Sequence, residues 1–150
     1  LKQTIFMIAQ STRTETREAL VNLLENSRSY TIAVAEAMPL KLDNYKPATG
    51  VWSFKEQLHH IAYGIEWWKD NYVKGIKTAW APPPTSNGRK EVLTYLNQAY
   101  DSLKETLMGE PLNVDHVKGF HATLDHITHH RGQCIVYLRI NGITPPDYAY

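Results

Sequence analysis

The chain has a single cysteine, Cys134, among its 150 residues, so no disulfide can close within it and a reducing compartment is allowed. It also lacks a basic run, because 16 Lys and Arg stand against 15 Asp and Glu for a formal net charge of +1. Without clustered positive charge there is no footprint for a phosphate backbone, and nucleic acid is excluded as an expected partner. No stretch approaches the ~18 apolar residues of a membrane-spanning helix, so no membrane partner is expected either. The apolar patch in the opening LKQTIFMIAQST is too brief for the roughly 7 to 15 residues of a signal-peptide core. Repeats, low-complexity tracts and strand-like alternation are missing as well. These absences lead to the expectation of one cytoplasmic domain covering residues 1–150.

What is present is helical periodicity. From Thr14 to Met38 apolar residues fall at Ala19, Leu20, Leu23, Leu24, Tyr30, Thr31 and Val34, and Pro39 ends the pattern. A second segment opens with the S-x-x-E capping box of Ser53 and Glu56, and carries Phe54, Leu58, Ile61, Ile65, Trp68 and Tyr72 before Gly75. A third runs from Arg89 to Met108 with Val92, Leu93, Leu96, Tyr100, Leu103 and Leu107 on one side. The fourth runs from Val117 to Ile140 with Phe120, Leu124, Ile127, Ile135 and Leu138, and is stopped by Asn141-Gly142. Four amphipathic helices bury their stripes most simply against each other, so the sequence predicts an all-α four-helix bundle. The linkers, 39–52, 76–88 and 109–116, are long for a simple up-down hairpin series, which predicts that at least one crosses the bundle end to end.

Five of the seven histidines crowd into two places: His59 and His60 in the second segment, and His126, His129 and His130 in the fourth. At about 100° per residue, His126 and His130 lie about 40° apart and one turn along, so both imidazoles can reach one point beside the helix. On the same wheels His60 flanks the core stripe of its helix, while His59 and His129 face away. An H-x-x-x-H pair on one helix with a third histidine from another is a natural way to build a metal site in a bundle. Three neutral imidazoles suit a divalent transition metal, zinc or nickel foremost, better than magnesium or calcium. The plainer reading of each histidine taken singly is an interior or surface side chain making hydrogen bonds.

The residues that carry this pattern also carry a resemblance. WSFKEQLHHIA, Trp52 to Ala62, together with LDHITHHRGQCIVYLRINGITPP, Leu124 to Pro146, resembles the DinB/YfiT-like metalloenzyme family. The resemblance implies a four-helix bundle with an unusual helix order, frequent homodimers, and one metal held by three histidines. The family's helix-two histidine, eight residues after the W of its WS motif, falls on His60, and its helix-four pair falls on His126 and His130. Characterised relatives include S-transferases and isomerases that use low-molecular-weight thiols, so the resemblance implies a metal-activated thiolate acting on a small molecule. No thiol-binding motif carries over residue by residue.

Other residues have two readings each. Glu56 can be a base or outer ligand near His60, although the capping box already accounts for it. Cys134 can ligate as thiolate or fill the core as a small apolar group. Arg131 falls within the apolar stripe, where its stem can pack while its head snorkels out. Gln133 lies on the side of His126 and His130 and can hydrogen-bond a histidine, or simply be solvated. Gly64, one turn after His60, leaves room for a ligand or for close helix packing. Trp67, Trp68, Tyr72 and Trp80 with Pro82 to Pro84 can wall an apolar pocket, or serve as core or dimer contact. Two functions follow: an enzyme whose open metal position activates water or a thiol, in the manner of a hydrolase or thiol transferase, or a non-enzymatic dimeric scaffold stabilised by the metal.

Overall fold

The computed structural model describes residues 2–85, 88–109 and 111–148; of residues 2–15 it describes the side chains at 3, 4, 7 and 14 alone. Most side chains of the opening apolar patch therefore lie outside the described set. The described residues form four helices and no strand: α1 Lys2–Ala37, α2 Phe54–Trp68, α3 Arg89–Gly109 and α4 Val114–Ile140. The order and type of elements are those the periodicity predicts. Two boundaries differ.

α1 begins at Lys2, well before the expected Thr14, and at 36 residues is about 54 Å long. The apolar stripe starts only near Leu20, but residues 2–19 contain neither proline nor glycine, so nothing local stops the helix from extending toward the N-terminus. α4 begins at Val114 rather than Val117, because Asn113 caps it, its side-chain oxygen accepting from the His116 amide at 2.9 Å. In α2 the predicted capping box is present: Ser53 Oγ accepts from the Glu56 amide at 3.2 Å, and the Glu56 carboxylate accepts from the Ser53 amide at 2.5 Å. Gly75, at φ +69°, takes the left-handed turn that ends this segment.

The predicted stripe of α2 fails at its last two members. Phe54, Leu58, Ile61 and Ile65 are fully buried, but Trp68 is half-buried and Tyr72 exposed. Between Lys69 and Val73 the helix widens into a π turn, closed by the Lys74 amide donating to the Lys69 carbonyl. One extra residue in that turn shifts the register by one position. Lys69 and Val73 consequently occupy the buried face, and Tyr72 turns outward. The Lys69 ammonium donates there to Ser102 Oγ at 2.6 Å and pairs with Glu66.

α2 packs against both α3 and α4, and α1 packs against the same two helices, so α1 and α2 stand at opposite corners. The connection from Ala37 to Phe54 therefore crosses the diagonal at one end of the bundle. Arg89 fastens that crossing. Its guanidinium donates to Asp43 Oδ1 at 2.7 Å and to the carbonyls of Ala35 and Met38, groups that the end of α1 leaves without helical partners. In α1, Leu20, Leu24, Tyr30, Thr31 and Val34 are buried as predicted, whereas Ala19 and Leu23 are exposed. No helix among the described residues is long and apolar enough to cross a membrane.

Candidate metal centre

α2 delivers His60, and α4 delivers His126 and His130, into one group on the α2–α4 seam. Ring centroids lie 4.9 Å apart for His60 and His126, 4.2 Å for His60 and His130, and 4.6 Å for His126 and His130. Each residue offers a ring nitrogen within 4.8 Å of the other two, a grouping that can hold a metal ion. His60 Nε2 and His126 Nε2 face each other at 3.0 Å. Among the described residues, no carboxylate joins the group.

Crowding three imidazoles without a counter-charge makes protonation costly. Burial first, and the neighbouring imidazoles second, push His60 and His126 down to about 4 and His130 to about 3, from an ordinary 6.5. All three are therefore neutral near pH 7, with lone pairs free to coordinate. The unfolded chain binds protons to these groups from pH 6.5 downward, whereas the folded chain resists until far lower pH. Stability that is fully present above about pH 6.5 should thus be lost progressively as pH falls toward about 3. We expect the thermal midpoint of the metal-free protein to fall more steeply between pH 7.5 and 4.5 than that of His130→Gln; parallel curves would contradict it.

Gln57, one turn before His60, sets the tautomer of His130. The Trp52 carbonyl can only accept, so Tyr137 Oη, 2.9 Å away, donates to it. Tyr137 Oη then accepts from Gln57 Nε2 at 3.4 Å, which turns Gln57 Oε1 toward His130 Nδ1 at 2.9 Å. His130 Nδ1 must carry the proton, leaving Nε2 as its coordinating atom. Ligating histidines characteristically donate their second N–H to such an outer partner. Gln133, the glutamine that the wheel placed near the pair, is half-buried and is not the partner of His130. The available signal was Gln57 at three residues before His60, on the same helical face.

Among the described residues His126 has no such partner: its Nδ1 is buried without a hydrogen bond. Packing orients this ring instead. A Cβ built on Gly64 would lie 2.1 Å from His126 Cε1 and 2.5 Å from Nδ1, so the missing side chain at Gly64 is the slot that the imidazole fills. The room that the sequence suggested at this glycine is used by His126.

The histidines expected to face away divide. His129 is exposed, with its ring against that of His130. His59 is a correction: it points away from the triad yet is buried, its ring 5.5 Å from that of Tyr95 on α3. A helix flanked on two sides by partners is buried well beyond one stripe, as Lys55, Gln57 and His59 on α2 show.

The remaining candidates take structural places. The Glu56 carboxylate is engaged by the Ser53 amide and by Lys46 at 3.0 Å, and the Ser53 contact first of all lowers its pKa. Cys134 is buried in the core, where desolvation pushes its thiol up to about 12. Arg131 does not snorkel; it is buried over the Tyr30 ring and donates to Ser27 and Thr31 of α1. Trp80, rather than Trp67 or Trp68, approaches the triad, its ring centroid 5.3 Å from that of His60, and the Trp52 ring centroid lies 4.2 Å from that of His60 and 5.6 Å from that of His130. Pro82 to Pro84 are exposed.

The fold recurs in solved structures. A DinB-like protein from Bacillus cereus superposes with a TM-score of 0.72 at 18% identity, over 87% of this chain and 95% of that one. A DinB-like protein from Bacillus subtilis gives a TM-score of 0.67 at 18% identity, over 87% and 98%. No curated protein matches the chain. The sequence profile of the DinB superfamily matches residues 23–134, a span that contains all three triad histidines together with Gln57 and Gly64. The chain belongs to the DinB superfamily.

Proposed function

We propose that His60, His126 and His130 hold one divalent transition-metal ion, zinc or nickel, and that the chain is a metal-dependent enzyme acting on a small molecule. The observation that carries this reading is the convergence of three neutral imidazoles with no carboxylate among them. Neutral nitrogen donors fit borderline ions and leave the ion its full positive charge. Such an ion, bound by three protein ligands with a position open, lowers the pKa of a coordinated water or thiol and so supplies a nucleophile near neutral pH. The chain's own residues prepare that centre. Gln57 holds His130 in the coordinating tautomer, and Gly64 gives His126 its place.

The reactions this supports are hydrolysis or transfer to a low-molecular-weight thiol, with the thiol or water as nucleophile. A scaffold role for the metal, the second reading, draws on one observation: Glu56, the carboxylate one turn from His60, is engaged as a cap and not free as a base. Protein purified without a tag or chelating column should carry about one equivalent of transition metal per chain, by elemental analysis. Protein that is metal-free and takes up none of added zinc, nickel or cobalt would overturn the proposal.

A further inference from the structure

Two separate loops each bring a tryptophan to the same histidine. Trp52 arrives from the connection between α1 and α2, and Trp80 from the segment between the π turn and α3. Both residues remain 44% exposed, with ring centroids 4.2 Å and 5.3 Å from that of His60. Leaving two such large apolar rings open to water forgoes the burial that would otherwise favour their folding into the core.

Neither placement is left to a slack loop. Trp52 is anchored through its carbonyl by Tyr137. The Trp80 segment is strapped to α2 and to the π turn that follows it by hydrogen bonds on both sides of Trp80. Trp67 Nε1 donates to the Thr78 carbonyl at 3.1 Å, the Ala81 amide donates to Tyr63 Oη at 2.7 Å, and Asn71 pairs with Thr78 through backbone and side chain. Trp80 also packs against Tyr63 and Trp67.

We infer that Trp52 and Trp80 are the ligand-facing wall of the triad, and that the site takes a compound pairing an anionic donor, such as a thiolate, with a flat apolar body. This rests on the metal reading above. The donor atom is set by the centre, since a divalent ion among neutral imidazoles favours an anion. The body is set by the indoles, whose faces and edges stack on flat apolar groups. Indole faces also attract cations. A cationic body is disfavoured here, because it would sit beside a divalent ion in a group with no carboxylate.

The test uses the full chain loaded with cobalt, titrated with phenylmethanethiol and with 2-mercaptoethanol and read from the thiolate-to-cobalt absorption. These are alkyl thiols of similar acidity that differ in the body. Phenylmethanethiol should half-saturate the site at about tenfold lower concentration, and Trp80→Ala and Trp52→Ala should each bring that ratio toward one. Equal affinity in the unaltered chain, or a preference that survives both substitutions, would overturn the inference. Loss of cobalt in both tryptophan variants would also overturn it, by showing that the rings hold His60 rather than meet the ligand. A chain that binds cobalt but neither thiol overturns the open position and this inference together. Failure to bind cobalt at all overturns the metal reading instead.

Discussion

Alanine at His60, His126 or His130 is expected to abolish binding of a divalent ion, while alanine at His59 or His129 should leave a full equivalent bound. The proposed site has only three protein donors, and removing one costs more than the roughly 10–100-fold in affinity that loss of an outer partner costs. The controls are informative because the two spared histidines differ. His129 is exposed, so His129→Ala should change neither metal content nor stability. His59 is buried against Tyr95 between α2 and α3, so His59→Ala should keep the metal yet lower stability by on the order of 1–3 kcal/mol. Elemental analysis and thermal unfolding of the five variants separate these outcomes. If His129→Ala lost the metal and His130→Ala kept it, the ligand set would have to be redrawn around His126 and His129.

Periodicity carried most of the fold, and it failed where its assumptions did. A single 3.6-residue stripe describes α3 well, because that helix is regular from Arg89 to Gly109. It misdescribes the end of α2, where the π turn moves burial from Tyr72 to Val73. No residue pattern within Lys69–Val73 announces that widening. The triad was legible because helical spacing alone brings His126 and His130 together and sets His60 beside its core stripe. The support around it was less so. Which glutamine meets His130 depends on how α2 and α4 face one another, and the direction of that bond depends on the Trp52 carbonyl, three contacts away. The burial of Arg131 depends on α1 presenting Ser27 and Thr31 opposite it, a pairing that no single helix wheel contains.

Gly64→Ala is expected to disable the centre without touching any ligand. In a helix interior this change normally stabilises by about 1 kcal/mol, because alanine loses less backbone freedom than glycine. Here the added Cβ would sit 2.1 Å from His126 Cε1 and 3.0 Å from its Nε2. The ring has little freedom to yield, since its Nε2 already meets His60 at 3.0 Å and its other neighbour is His130, with ring centroids 4.6 Å apart. Either His126 leaves the triad or α2 and α4 move apart along their seam. Both routes should weaken metal binding by about 100-fold or more. Overpacking should also destabilise the metal-free chain by roughly 1–3 kcal/mol, reversing the usual sign. The steric cause can be isolated by a double-mutant cycle, because removing the imidazole removes the obstacle. In a His126→Ala background, Gly64→Ala should recover its ordinary effect and raise stability by about 1 kcal/mol, a coupling of opposite sign to the single change. Thermal unfolding of the four proteins, with metal content for each, measures both effects. If Gly64→Ala alone melted higher than the parent and kept its full equivalent of metal, the slot for His126 would not be what holds this glycine in place.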